Sequence, residues 1–199
     1  MTISISGSGT GKINELTVPT ATGTVVGSGA NYPLNIDSSA TANSVQIDSS
    51  GRLIENSKIT FLAWKDTSAQ SISGTTWTKV TLDTVASPGW NVGSHFNTST
   101  SRFTAPISGM YFISYNIQFG SASNGYLYSG IRLNGGTVWF YGDGRNVNSH
   151  NGDNTLGHGT CVRLAADDYV ELFAYHQTGS ALGYTNVRTH MCGYLVSII

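Results

Sequence analysis

Phe96-Asn97-Thr98-Ser99-Thr100-Ser101-Arg102-Phe103-Thr104-Ala105-Pro106-Ile107-Ser108-Gly109-Met110-Tyr111-Phe112-Ile113-Ser114-Tyr115 reads as a strand, a proline-bearing turn and a long strand. From Met110 to Phe119 the odd positions Tyr111, Ile113, Tyr115, Ile117 and Phe119 are large and apolar or aromatic, with Ser114, Asn116 and Gln118 between them. A period of two gives an antiparallel strand one buried face and one more polar face. Met110 and Phe112 interrupt the polar face, which predicts that both faces are covered. Pro106 and Gly109 mark the tight connection, because proline cannot donate to a ladder and glycine permits positive φ.

Outward from this stretch the chain keeps the same character. Short β-branched and aromatic runs are separated by Gly, Asn and Ser, and no long window has an apolar period near 3.6, so the expectation is an all-β antiparallel fold. Strands are expected near 59–65, 77–82, 102–106, 109–119, 126–133, 137–141, 155–164, 168–176 and 187–198. Charged residues make up only 11% and the net charge is −1, which excludes a broad field for nucleic acid or an anionic membrane. No run approaches the ~20 apolar residues of a membrane helix.

Four segments, in order, resemble the complement C1q-like globular domain, a relative of tumour necrosis factor. Arg102-Phe103-Thr104-Ala105-Pro106 leading to Gly109-Met110-Tyr111-Phe112-Ile113 resembles the family's "K-F-T-x-P-x-x-G-x-Y-x-F" signature. Ile59-Thr60-Phe61-Leu62-Ala63-Trp64 resembles its opening strand, and Met191-Cys192-Gly193-Tyr194-Leu195-Val196 its closing one. Leu164-Ala165-Ala166-Asp167-Asp168-Tyr169-Val170-Glu171-Leu172 resembles the "L-x-x-G-D-x-V-x-L" hairpin, with Asp167 in place of the turn glycine. The resemblance covers residues 59–199 and implies a ten-stranded antiparallel jelly-roll sandwich that forms a homotrimer. It also implies that the sheet of the first, long central and last strands faces the three-fold axis. Phe112, Ser114, Val162, Met191, Gly193 and Leu195 would then approach neighbouring subunits, and Tyr111, Ile113, Tyr115 and Ile117 would fill the core. Trp64, Trp77, Trp90 and Trp139 are expected in the core or at subunit contacts. Cys161 and Cys192 fall on strands that the family separates by the central one, too far apart for the ~7 Å Cα limit of a disulfide, so buried free thiols are expected.

Residues 1–58 differ from the rest, being rich in Ser, Thr and Gly with no Trp or Phe. Leu34-Asn35-Ile36-Asp37-Ser38-Ser39 echoes Val45-Gln46-Ile47-Asp48-Ser49-Ser50, as two short strands ended by Asp-Ser-Ser turns would. Such a composition cannot bury a core alone but can when wound with identical copies. The expectation is a β-rich N-terminal stalk or virion anchor. Met1-Thr2-Ile3-Ser4-Ile5-Ser6-Gly7 lacks the basic and apolar regions of a secretory signal, which points to an unprocessed chain assembled in a cytoplasm.

Catalytic signatures are missing. The five histidines, His95, His150, His158, His176 and His190, form no HExxH or HxH pair, and no paired carboxylates stand out. Gly7-Ser8-Gly9-Thr10-Gly11-Lys12-Ile13 glances at a phosphate loop, but Ser6 stands where its first glycine is required and Ile13 replaces its hydroxyl residue. No cofactor or metal is expected. The sequence favours a binding module over an enzyme.

Recognition chemistry gathers in the longer connections, expected at 120–125, 142–154 and 177–186, whereas Asn134-Gly135-Gly136 and Ala165-Ala166-Asp167 are tight. Alternating strand direction groups the long loops at one end and places Ile199 at the trimmed end; the family resemblance implies that the stalk joins at the trimmed end, which makes the long loops the free tip. Tyr offers rigid contact area while Asn and Ser adapt their hydrogen bonds. On that ground Tyr126, Tyr141, Arg145, Asn146, Asn148, His150, Asn151, Tyr184 and Asn186 are the candidate receptor-binding residues. The Gly/Ser/Thr-rich start and Ile47-Asp48-Ser49-Ser50-Gly51-Arg52 resemble tail-fibre and structural proteins of bacteriophages. That resemblance implies a tail fibre or receptor-binding protein joined to a virion baseplate or capsid protein through residues 1–58. It would bind a host surface receptor, a glycan or a protein. The alternative is a capsid decoration or baseplate protein. A secreted complement-like lectin fits less well, because no collagen-like repeat precedes the domain.

Overall fold

The computed structural model describes residues 45–47, 50–55, 58–66, 69–85, 90–120, 124–136, 138–147, 154–178, 182–184 and 188–199. The strands, in chain order, are β1 (Val45–Ile47), β2 (Leu53–Glu55), β3 (Thr60–Trp64), β4 (Gln70–Ile72), β5 (Thr78–Lys79), β6 (Thr84–Val85), β7 (Phe96–Asn97), β8 (Arg102–Thr104), β9 (Gly109–Phe119), β10 (Gly125–Leu133), β11 (Val138–Val147), β12 (Asn154–Leu164), β13 (Tyr169–His176), β14 (Leu182–Tyr184) and β15 (His190–Ile198). The chain divides into two units between Asn56 and Ser57. In the first, β1 and β2 form an antiparallel pair that joins Val45 to Glu55 and Ile47 to Leu53. The upstream half of the echo, Leu34 to Ser39, lies outside the described residues.

The second unit is a two-sheet antiparallel jelly roll. A seven-stranded sheet is centred on β9. Along one edge of β9 runs β12, from Asn154 opposite Phe119 to Leu164 opposite Gly109. Along the other runs β15, with β14 taking over at Phe119, and β3 and β6 continue outward from β15. The six-stranded sheet has the order β11-β10-β13-β8-β7, with β5 also on β13. The class is the one expected. Among the described residues short segments at 70–72, 84–85, 96–97 and 182–184 add to the nine strands expected along the sequence.

The alternation read on β9 is what fills the space between the sheets. Tyr111, Ile113, Tyr115, Ile117 and Phe119 are all buried and meet Leu127, Ile131, Leu172 and Phe103 from the other sheet. Phe61 stacks on Phe103 at 4.4 Å and on Phe96 at 5.4 Å, so the signature phenylalanine clamps the opening strand. Burying such a ring is worth roughly 1.5–3 kcal/mol over leaving it exposed. The Tyr111 hydroxyl would be costly there without a partner, and it donates to the Ile107 carbonyl at 2.7 Å.

The trimmed end is closed by side chains that replace missing backbone pairs. Asn134 Nδ2 donates to Asp168 at 2.7 Å, while Tyr169 N donates back to the Asn134 side chain at 2.9 Å. Asp167 takes φ 70°, the left-handed conformation that the missing glycine would have supplied and that Asp tolerates better than most residues. Ile199 N reaches Ser108 O, so the last residue lies at this end, as strand direction requires.

Candidate functional site: two outer sheet faces

Residues directly opposed in an antiparallel pair share a face, so the register sorts every side chain of the seven-stranded sheet. Three rows cross its outer face. Thr60, Tyr194, Phe112 and Cys161 form one, Leu62, Cys192, Ser114 and Gly159 the next, and Trp64, His190, Asn116 and Gly157 the third. Tyr194 is 43% exposed and lies 5.5 Å from Phe112, ring to ring. Val196, at the bulge that follows, is 52% exposed. The glycines and Ser114 keep the middle of the face low; a Cβ on Gly159 would come within 3.0 Å of the Phe112 ring. Trp64 Nε1 is buried without a hydrogen-bond partner among the described residues. The three rows are therefore low-relief and hold no Lys, Arg, Asp or Glu, while Arg163, opposite the outward Met110, and Lys58, 6.0 Å over the Tyr194 ring, border them.

The same register corrects four residues of the expected contact face. Val162 is opposite Tyr111, Met191 opposite Tyr115, Gly193 opposite Ile113 and Leu195 opposite Tyr111, so all four belong with the inward residues of β9. Val162 and Met191 are in the buried core, and Leu195 packs against it. The parity of β12 and β15 is one residue out of step with the expected one, and a slip of one moves every side chain to the other face. Phe112 and Ser114 do lie outward. Cys161 and Cys192 are separated by β9 and are free thiols, but both lie outward too, Cys161 exposed and Cys192 half-buried. Burial pushes the Cys192 thiol above its ordinary value, which keeps it protonated and less reactive.

The outer face of the six-stranded sheet has different chemistry. Tyr126 and Tyr128 point outward on β10, their rings stacked at 6.0 Å. Asn146 opposes Tyr126 and Gly144 opposes Tyr128. The expected long loop at 142–154 is thus strand as far as Val147. Gly142 and Gly144 carried the loop signal but do other work. Gly142 sits at a bulge where the register skips between Gly130 and Ser129, and a Cβ there would lie within 1.6 Å of the buried Tyr115 hydroxyl. Gly144 leaves the space taken by the Tyr128 ring, 2.7 Å from where its Cβ would be.

The structure thus brings together Tyr126 and Asn146, both exposed, on one outward patch. Arg145 is exposed beside them but opposes the inward Leu127. Tyr141 lies on β11 opposite Gly130, and Tyr184 on β14 opposite Gln70 and Phe119. Asn148, His150, Asn151 and Asn186 lie outside the described residues. Sequence reasoning did not name Tyr128, Tyr175 or Arg132 among the candidate residues. Trp77, expected in the core or at a subunit contact, is half-buried and lies against Tyr175 with ring centroids 5.4 Å apart. The alternation Tyr126-x-Tyr128 and Phe173-x-Tyr175 held the missing signal.

Glu171, almost fully buried on this face, accepts from Arg102 Nε at 2.8 Å and from Lys79 Nζ at 3.0 Å. Burial by itself pushes its carboxyl up, but the two cationic donors outweigh it and hold the group below the usual carboxylate range. Among the described residues no group of His, Cys, Asp or Glu is arranged to hold a metal ion. Among them too, no helix is long and apolar enough to cross a membrane.

The C1q domain profile matches residues 61–196, the span of both sheets. The chain belongs to the C1q domain family. The Eiger tumour necrosis factor structure from S. frugiperda is similar in fold, with a TM-score of 0.54 at 11% identity over 71% of this chain and 94% of that one. The globular domain of zebrafish complement 1qA protein gives a TM-score of 0.48 at 14% identity, over 71% of this chain and 99% of that one. No curated protein sequence matches the chain. Of the expected signature, Phe103 and Tyr111 of this C1q domain are core residues in ring contact at 5.5 Å, so the motif is structural rather than a ligand site.

Proposed function

We propose that this C1q-family chain is a homotrimeric fibre protein of a virion that attaches the particle to a host-cell surface receptor, with a glycan as the favoured ligand. Residues 1–58 join it to a baseplate or capsid protein, and assembly takes place in the host cytoplasm. The role is binding, not catalysis. The observation that carries this reading is the contrast between the two outer faces. The β3-β15-β9-β12 face, with Leu62, Phe112 and Tyr194, suits burial against two further copies. Tyr126 and Asn146, on the opposite sheet, stay exposed when the first face is covered.

Gold-labelled antibody against the chain tests the assignment on intact particles. Label at the ends of tail fibres, with adsorption to host cells blocked by the same antibody, is the expected result. Label spread over the capsid with adsorption intact would show a decoration protein instead.

A further inference from the structure

The outer face of the six-stranded sheet carries a continuous aromatic ladder that neither the fold nor the core requires. Trp77 lies 5.4 Å from Tyr175, Tyr175 lies 5.9 Å from Tyr128, and Tyr128 lies 6.0 Å from Tyr126, ring to ring. The rings come from three different strands or their flanks, so the ladder is a property of the folded sheet. Its members are half-buried or exposed, with Tyr126 43% exposed. Gly144 holds the ladder open, since any side chain there would strike the Tyr128 ring.

Polar groups line the ladder without interrupting it. Gln177 Nε2 donates to the Tyr175 hydroxyl at 2.9 Å, and Asn146 stands opposite Tyr126. On β13, two residues before Tyr175, Phe173 carries the Arg132 guanidinium 4.0 Å above its ring. Arg132 Nε is buried with no hydrogen-bond partner among the described residues. Further along the same face Lys79 and Arg102 share the single carboxylate of Glu171. Among the described residues the face thus sets Lys79, Arg102 and Arg132 around the Glu171 carboxylate, in a chain whose net charge is −1.

We propose that this face is a binding platform for a linear acidic oligosaccharide. The apolar faces of successive pyranose rings stack on Trp77, Tyr175, Tyr128 and Tyr126. Hydroxyls bond to the phenols and amides, and a carboxylate or sulfate group of the sugar lies toward Arg132. Charge complementarity selects the acidic class, because the ladder's surroundings are positive while the chain as a whole is not. Single-stranded nucleic acid also stacks on aromatic rings, but it needs a basic groove that tracks every phosphate. The platform has the Arg132 guanidinium at one end, with Lys79 and Arg102 already paired to Glu171, and hydroxyl-bearing rings along it. The inference stands on this face alone and does not require the chain to sit on a virion.

The full chain is titrated with a hexamer of galacturonic acid, a neutral cellulose hexamer and a six-nucleotide oligothymidine, followed by calorimetry and NMR. The acidic hexamer binds, and binds more weakly as salt rises. Tyr175→Ala and Trp77→Ala each reduce its affinity at least tenfold. Arg132→Gln abolishes the preference for the acidic over the neutral hexamer. Gly144→Ala is the gentler variant, which displaces the Tyr128 ring without deleting it, and it lowers affinity while the melting temperature stays near wild type. No binding of the acidic hexamer, equal binding of the neutral one, tighter binding of oligothymidine, or unchanged binding by the Gly144→Ala and Tyr175→Ala chains would each overturn the proposal.

Discussion

Met191→Ala separates the two faces of the seven-stranded sheet, and its size follows from where the side chain lies. Met191 is fully buried in the core, beside Tyr115 on β9 and Ala63 on β3. Truncation removes the buried Cγ, Sδ and Cε and leaves a cavity that a two-sheet core closes only in part. Losses of about 2–5 kcal/mol are typical for such a change. Taking about 3 kcal/mol, a domain of this size melts about 6–12 °C lower. The same truncation of an outward side chain in a lone protomer would cost within about 0.5 kcal/mol. Assembly linkage is removed by urea unfolding at several protomer concentrations, because a lost subunit contact makes the difference concentration-dependent whereas a core cavity does not. A Met191→Ala chain as stable as wild type, or one whose deficit grows on dilution, would refute the register argument. The same placement means that Met191→Asp unfolds the protomer, where an outward Met191 would only have dissociated the assembly.

Glu171 has a lowered carboxyl pKa in the folded chain, so its contribution is complete above the ordinary carboxylate range and is lost as pH falls through its folded value. Urea titrations from pH 7 downward should show wild type losing stability below about pH 4.3, the unperturbed Glu value, with that portion of the slope reduced in Glu171→Gln. Gly142→Ala drives a Cβ into the Tyr115 hydroxyl and the His158 Cβ, at 1.6 and 2.6 Å, and should cost about 1–3 kcal/mol by thermal unfolding. Wild-type stability in that variant would show that the bulge is not needed to admit Tyr115.

The long strand was legible because both of its cues agree. The period of two from Tyr111 to Phe119 fixes the inward face, and Pro106 with Gly109 fixes where the strand begins. The motif resemblance supplied the order of the sheets, which local pattern cannot give. Inward and outward on β12 and β15 were not legible in the same way. On β15, Met191, Leu195 and Val196 are apolar but Tyr194 and Cys192 between them are nearly so, and the chain bulges after Leu195. Only the hydrogen-bonded register to β9 decides the face. Glycine misled at β11 for a related reason. Gly142-Asp143-Gly144 has the composition of a loop, yet one glycine admits a hydroxyl from across the sandwich and the other a ring from the next strand. The aromatic ladder joins β5, β10 and β13, whose adjacency comes from topology alone, so single segments showed its tyrosines but not their alignment.

The mass of the full chain in solution reads the proposed assembly. Three copies bury the outer face of Leu62, Phe112 and Tyr194 while the aromatic face stays free. Light scattering on the eluting peak should therefore give three times 21.1 kDa at micromolar concentration for wild type. It should give a single folded copy for Tyr194→Asp, because carboxylates from several copies would then be buried in a dry interface without partners. A folded wild-type monomer, or a Tyr194→Asp chain that remains a trimer, would contradict it.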